Sequence, residues 1–418
     1  MGLVERIIVF TQKLIFSAEF KEFARVNPSD FTRIRKMSFE ELMVCMLMSF
    51  KCTTQSAIRR FFKDLCKGMA MKQQSFSEAR QKIRPEAFYA LFRLAAREMG
   101  SQCRETWHNY RVLANDGSKI ALPADGFLLG HFGGIGRNAK SPTAQASICY
   151  DVLNDIVIDA DIAPLDHGER TLALAHVENC KLVLPEGEKK LFIYDRGYPS
   201  FDLIGALEEA GLKYVMRVKK KFNLDVDAQS KPDGYVWLKQ CDKRIHVRVI
   251  KFCLDSGEEE VLLTNITDRR LGKNAFKKLY FMRWPVETKY DIVKNKLEVE
   301  NFSSRTVEGI RQDFFATMYL VNVAAAAKHD AKDEIDAARR DKENKYEYQA
   351  NTNELIGILK DRLVLALTEG DPARQSELIR NIVSEVAQSV VPKRVNRSVP
   401  RNPIPRSAKF HHNSRSNC

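Results

Sequence analysis

Between residues 110 and 218 the hydrophobic pattern switches repeatedly between a period of two and a period near 3.6, and this restricts the possible folds most. YRVLAND (110–116) is rich in β-formers and closes at Asp116-Gly117. SICYDV (147–152) and DIVIDADIAP (155–164) read as two strands around a short turn at Leu153-Asn154, a hairpin signal. ERTLALAHVENCKLV (169–183) has helical spacing, and LFIYDRGYPS (191–200) gives a strand that ends at Asp195 before a glycine turn. A helix over FDLIGALEEAGL (201–212) and a strand over KYVMRV (213–218) follow. Strand, hairpin, helix, strand, helix, strand is the order of an α/β domain built on one mixed sheet. Residues 118–146, with GHFGGIGRNAKSP inside them, read as loop.

The flanking segments have different textures. Residues 1–104 lack strand-like runs and read as a helical, basic domain. MSFEELMVCMLMSF has Ser38 and Glu41 placed for a capping box, SAIRRFFKDLCKG stops at Gly68, and PEAFYALFRLAAREMG runs from Pro85 to Gly100. Such a domain either lies on DNA or presents a solvated basic face. Residues 219–266 hold the short runs GYVWL, IHVRVIKF and EEVLLTNI and form a β-rich insertion. Helical pattern returns near 269, and 331–391 are helical and highly charged. Residues 392–418, with four prolines, seven basic residues and no acidic one, read as a disordered basic tail.

Charge narrows the class of partner. Of the net +13, residues 1–104 contribute +9 and residues 392–418 contribute +7, leaving a mildly acidic centre at −3. Basic ends around such a centre point to a polyanion. No run of about 18 apolar residues exists, so a membrane span is not expected. The first residues, MGLVERIIVFTQKLIF, are interrupted by Glu5, Arg6 and Lys13, which spoils a secretory leader. Nine cysteines without a C-x-x-C pair suggest reduced thiols rather than a disulfide or zinc framework. His131 and His167 have no partner at ligand spacing and read as surface or structural.

Three acids are candidates for chemistry. Asp116 and Asp195 each end an apolar strand, where turn formation alone explains either one. Two such ends in one sheet bring carboxylates together, and adjacent carboxylates repel unless a cation shares them. Oxygen-only clusters suit Mg²⁺ or Mn²⁺. The third acid is Glu287 in LYFMRWPVETKYDIVKN, where Tyr280, Arg283, Glu287 and Lys294 fall on one face of a helix, within an arc of about 60°. Pro285 lies inside that helix and predicts a start or a kink there. Trp284 reads as a packing residue, and a salt-bridged, solvated helix face is the plain alternative for the whole set.

The spacing Tyr280, two residues, Arg283, three residues, Glu287, six residues, Lys294 resembles the Y-R-E-K signature of IS4-type insertion-sequence DDE transposases. ANDGSKI around Asp116, YDRGY around Asp195 and FSEARQKIRPEAF resemble segments of the same family, so the likeness covers about residues 30–330. The resemblance implies a ribonuclease-H-like catalytic domain over 105–330, preceded by the helical domain 1–104 and followed by the charged helical region 331–391, a place to look for dimerisation. It implies that Asp116, Asp195 and Glu287 hold two Mg²⁺ ions, with Mn²⁺ able to substitute. Tyr280, Arg283 and Lys294 are implied to contact the DNA backbone. Arg217, Lys219, Lys220 and Lys221 read either as a solvated edge or as a phosphate-contacting patch beside the site, and Trp237 in the insertion is the candidate aromatic for a flipped base, although a strand tryptophan is more often core. The implied partners are double-stranded DNA, as terminal inverted repeats and target, and a second copy on paired ends. The implied location is the bacterial cytoplasm, on the nucleoid. Two other readings share these residues: a DNA-binding regulator with a vestigial core, and a non-transposing ribonuclease-H-like nuclease. Removal of residues 392–418 is expected to weaken DNA binding and flatten its dependence on salt by several counterions, since each neutralised phosphate contributes about one to the slope. Titrations of duplex DNA at two salt concentrations measure this, and unchanged affinity and slope would assign the tail another role.

Overall fold

A computed structural model of the chain describes residues 1–33, 35–48, 52–254, 257–340 and 346–393; the basic tail expected from sequence therefore lies almost wholly outside the described residues. The chain divides into two units, one of residues 1–102, 120–144 and 291–418, the other of residues 103–119 and 145–290.

The first unit begins with six helices: α1 (Leu3–Ile15), α2 (Ala18–Ala24), α3 (Phe39–Leu47), α4 (Thr54–Asp64), α5 (Gln73–Arg80) and α6 (Pro85–Gln102). The capping box at α3 is formed: Ser38 Oγ accepts from the Glu41 amide at 3.2 Å and the Glu41 carboxylate accepts from the Ser38 amide at 2.9 Å. The helix α6 runs through Gly100 instead of stopping there. Gly100 is buried, and packing around it outweighs the backbone entropy that glycine costs a helix.

The second unit is built on a mixed sheet. Its strands are β1 (Tyr110–Ala121), then, after α7 (Gly126–Phe132) and the two-residue β2 (Gly134–Ile135), β3 (Ser141–Asp151) and β4 (Ile156–Ala163). Thus 118–146 is not one loop: β1 continues to Ala121, and a short helix and strand occupy most of the rest. Next come α8 (Glu169–Val183), β5 (Lys189–Tyr194), α9 (Phe201–Glu209), β6 (Lys213–Val218), α10 (Leu224–Ala228), β7 (Asp233–Gln240), β8 (Lys243–Cys253) and β9 (Glu259–Thr264). In space the strands run β4-β3-β1-β5-β6-β9-β8-β7. In chain order the first five strands of this unit stand 3-2-1-4-5, with β1, β5 and β6 parallel, which is the ribonuclease-H-like arrangement. The β-rich insertion does not form a separate module. Its strand β9 pairs antiparallel with β6, so β9, β8 and β7 extend the same sheet.

Two devices fix the helices that carry the site. After the sheet come α11 (Lys273–Phe281) and α12 (Pro285–Asp291). Phe276, Leu279 and Tyr280 of α11 pack on Val112, Leu191, Ile193, Val215, Ile250 and Leu262 of the sheet. The helix α8 is tied to its neighbouring strands by a buried polar relay, in which one ring nitrogen of His176 lies 2.7 Å from Asp159 Oδ2 on β4 and the other 2.9 Å from Ser147 Oγ on β3.

The rest of the first unit follows: a π-helical turn (Ile292–Lys296), α13 (Val307–Ala337), β10 (Tyr348–Ala350), α14 (Thr352–Thr368), α15 (Pro372–Gln388) and β11 (Val390–Pro392), with β10 and β11 antiparallel. The helix α13 is its central element, packing against α6, α1, α14 and α15. Residues 331–391 are thus integrated with the N-terminal helices. Among the described residues no helix is long and apolar enough to cross a membrane. Arg80, 4% exposed, joins α5 to α13: its guanidinium donates to Gln312 Oε1 at 3.1 Å, Ser303 Oγ at 2.5 Å, Gly309 O at 3.2 Å and Asp313 Oδ1 at 3.0 Å. Breaking a buried pair strands its partner charge, so Arg80→Met is expected to cost about 3–5 kcal/mol in urea unfolding, and a second change, Asp313→Leu, to recover part of it. Equal stability of Arg80→Met and wild type would show that the network contributes no net stability.

Candidate active site

The parallel register of β1 and β5 brings the first two acids together. The ladder ends at Ala114↔Ile193, and Asp116 and Asp195 each lie two residues further on, so both carboxylates leave the sheet on the face shared by that pair. This is also the face α11 covers, since Val112, Leu191 and Ile193 pack with Tyr280. The main chain at Asp116 is held by Tyr290 of α12, whose hydroxyl donates to Asp116 O at 2.9 Å and lies 3.3 Å from Ala146 O.

The signature residues approach from α11 and α12, but not as one helix face. Pro285 has no N–H to give to the carbonyl of Phe281, so α11 stops and Pro285 opens α12 at its first turn. Tight bonds from Arg283 N to Tyr280 O (3.1 Å) and from Glu287 N to Trp284 O (3.0 Å) carry the chain across the break. Tyr280 nevertheless donates its hydroxyl to Asp195 Oδ1 at 3.1 Å, and Arg283 Nη2 lies 3.1 Å from Glu287 Oε1 and 4.0 Å from Asp195 Oδ2. Lys294 sits in the π-helical turn near the start of the third segment of the first unit. A π turn shifts side-chain direction relative to an α-helix, which ends the single-face arrangement expected of the four residues. Burial holds Lys294 below the ordinary lysine range, and Glu300 works against that shift.

The electrostatics separate the two aspartates. Burial pushes Asp116 up to about 6; Glu287 and Asp195 add to the rise, while Arg283 and the Gly117 amide oppose it. Burial works in the same direction on Asp195. There the Arg196 amide, Arg283, the Tyr280 hydroxyl and Arg217 outweigh it, so Asp195 lies below the ordinary carboxylate range. Arg217 is committed to acids of its own unit: it pairs with Glu260, lies 3.5 Å from Glu258 Oε1 and 4.0 Å from Asp195 Oδ1. Lys219, Lys220 and Lys221 are exposed beyond β6. Trp237 on β7 is 52% exposed, with its ring centroid 4.7 Å from that of His246, and is no core residue. Trp284 does not pack inside either: it is 59% exposed, edge-on to Phe281.

The donors at this end are all carboxylate oxygens, the chemistry that suits a hard divalent cation. As the side chains stand, no group of three His, Cys, Asp or Glu among the described residues is gathered closely enough to hold a metal ion, and Arg283 supplies the positive charge between Asp195 and Glu287. A cluster that crowds three acids, lifts one and recruits a buried arginine fits a divalent ion by charge and by donor type. Four residues at the site were not singled out from sequence: Gln145, Glu169, Tyr198 and Tyr290. They come from four different places, β3, the start of α8, the turn after β5 and α12, and only their packing together brings them to the site.

The chain belongs to the transposase DDE domain family, whose model matches residues 107–323. Members of this family generally use divalent metal ions. The protein described as "Putative transposase y4zB" from Sinorhizobium fredii (strain NBRC 101917 / NGR234) is 27% identical over 152 residues, 32% of this chain. The match spans 42% of that relative's length. Among solved structures, a piggyBac transposase synaptic complex with hairpin DNA aligns with a TM-score of 0.47 and 11% identity over 96% of this chain and 87% of the other.

An acid whose pKa is higher in the folded chain than its ordinary 3.8 favours folding below that pH and loses this stabilisation as pH rises through about 6. Asp116→Asn, neutral throughout, is expected to exceed wild type in stability at about pH 8 by about 1–3 kcal/mol, allowing for partial exposure, because a tenfold change in proton affinity is worth about 1.4 kcal/mol. The advantage should vanish near pH 4, and melts in metal-free buffer at both pH values measure it. An asparagine variant less stable than wild type at the higher pH would mean that the surroundings favour the carboxylate.

Proposed function

We propose that this chain is the transposase of an IS4-type insertion sequence, cutting DNA at the element ends and joining them to target DNA. The observation that carries the reading is the convergence of Asp116, Asp195 and Glu287, linked through Arg283, in a chain of the transposase DDE domain family. The IS4 subtype rests on the spacing of Tyr280, Arg283, Glu287 and Lys294.

In this reading Asp116, Asp195 and Glu287 hold two Mg²⁺ ions, with Mn²⁺ able to substitute. Bound there, such ions would supply Lewis-acid activation of an attacking oxygen and stabilisation of the leaving oxygen in an in-line displacement. The protein's own groups do the rest. Tyr280 orients Asp195 through its 3.1 Å hydrogen bond, and Arg217, held by Glu258 and Glu260, keeps positive charge beside the same carboxylate. Arg283 turns from the carboxylates to a backbone phosphate when DNA arrives, a geometry its planar fork suits. The exposed Lys219, Lys220 and Lys221 and Lys294 add phosphate contacts, and Trp237 offers an open ring for stacking on a displaced base. Domain 1–104 grips DNA, 105–330 performs the chemistry, and a dimer on paired ends involves 331–391. Double-stranded DNA, as terminal repeats and target, is the partner.

Asp116→Ala, Asp195→Ala and Glu287→Ala are each expected to lower metal-dependent cleavage of a duplex carrying the element's ends by on the order of a thousandfold or more while DNA affinity is retained. Cleavage assays and gel-shift titrations on the same preparations check both halves. Robust cleavage by all three variants would sink the proposal.

A further inference from the structure

One acidic side chain at the site has no place in the reading above. Glu169 is the first residue of α8, and α8 is fixed by the buried His176–Asp159–Ser147 relay. Its carboxylate reaches over the ends of both strands that carry the aspartates. Glu169 Oε1 lies 2.7 Å from where a Cβ on Gly117 would stand, and Oε2 lies 3.7 Å from the corresponding point on Gly197. Gly117 follows Asp116, and Gly197 belongs to the turn after Asp195. A side chain at 117 would also meet Gln145 Nε2 at 2.8 Å, and this same amide lies 3.4 Å from Glu169 Oε1. Glycine at 117 is therefore what admits the carboxylate. Arg170 closes the arrangement from the next position, its Nη2 donating to Gly197 O at 3.2 Å.

An independent group faces the same place. Tyr198 is 2% exposed and its hydroxyl has no hydrogen-bond partner. A buried hydroxyl without a partner is costly to keep, so it calls for an acceptor or a bound polar species. Apart from burial, the strongest influences on this hydroxyl are the charges of Glu169, Asp116, Arg283 and Asp195, in that order. The charges of Glu169, Asp116 and Asp195 and of Arg283 thus all act on this hydroxyl. A role for Glu169 confined to the helix N-terminus, where an acid complements the dipole, explains neither the glycine that makes room for it nor the unpartnered tyrosine beside it.

We propose that Glu169 is a fourth carboxylate of the divalent-cation site, binding metal together with Asp116 while the Tyr198 hydroxyl donates to an oxygen of that coordination shell. The proposal rests on the reading of Asp116, Asp195 and Glu287 as metal-binding. It requires no redox or covalent step. It makes α8 a fourth element of the site beside β1, β5 and α12, and it makes the Asp116-Gly117 pair a unit: the aspartate binds and the glycine opens the way for the second carboxylate.

The test is Mn²⁺ binding to the full chain, read by electron paramagnetic resonance, for wild type, Glu169→Gln, Glu169→Asp and Asp116→Asn, with thermal melts showing that each variant is folded. Glu169→Gln is expected to weaken Mn²⁺ binding by on the order of tenfold or more, Glu169→Asp by less, and neither to alter DNA affinity in metal-free buffer. Wild-type Mn²⁺ affinity in both Glu169 variants, with Asp116→Asn weakened, would overturn the proposal and leave the reading of Asp116 intact. Wild-type affinity in Asp116→Asn, or no Mn²⁺ uptake by the wild-type chain, would overturn both. A dipole role for Glu169 would lower the melting temperature and leave Mn²⁺ affinity unmoved.

Discussion

The parallel pairing of β1 with β5 decides where this chain can do chemistry. Parallel neighbours end on the same side of a sheet, and the Ala114↔Ile193 register sets their last paired residues level. Two positions further along each strand the side chains return to the same face, and there the chain has Asp116 and Asp195. A slip of one residue in either strand would send one carboxylate to the opposite face. The apolar run of each strand, Val112 to Ala114 and Leu191 to Tyr194, is buried and prevents that slip. Hydrophobic burial along the strands thus fixes the spacing of charge at their ends.

That charge is distributed unevenly, and the asymmetry is useful. Asp195 receives the Arg196 amide, Arg283, the Tyr280 hydroxyl and Arg217, which hold it below the ordinary carboxylate range. Asp116 has burial and two neighbouring acids against it, so its proton leaves only near neutrality. One carboxylate thereby holds its charge more readily than an ordinary aspartate, while the other becomes charged only as pH rises through about 6. The insertion contributes to this balance. By placing β9 against β6 it sets Glu260 beside Arg217, and a paired arginine is held firmly enough to keep its charge near Asp195.

Much of the fold was legible because local signals agreed with the final packing. The alternation over 110–218 gave the strands and helices of the second unit's sheet, and the Ser38–Glu41 box gave the start of α3. What failed did so where tertiary packing overrides a local rule. Gly100 reads as a stop, yet lies within α6 because burial supports the turn; Gly-rich 118–146 reads as loop, yet holds the end of β1 and all of α7. Trp284 and Trp237 read as core residues by type, and both are exposed. The three acids were visible because they close apolar runs or sit in a spaced signature. Glu169 was not, since an acid at a helix start is ordinary and only the approach of α8 to Gly117 gives it meaning.

Pro285 illustrates how a local break can serve a site that a continuous helix would serve less well. A straight helix over 280–294 spaces Tyr280, Arg283 and Glu287 at fixed rotations and a rise of about 1.5 Å per residue, so their side chains fan out along about 10 Å of axis. The observed turn at 282–285 lets Tyr280 reach Asp195 from α11 while Arg283 meets both Asp195 and Glu287 from the junction. The buried guanidinium then neutralises two acids at once, and Arg217 adds a second positive charge 4.0 Å from Asp195 Oδ1. In the proposed reading such an arginine has a defined alternative, because a divalent ion entering between the acids and a phosphate arriving from outside would favour the same displacement. Under that reading, occupation of the site by metal and engagement of the phosphate would be coupled in sign, each lowering the cost of the other by relieving the charge that held Arg283 in place.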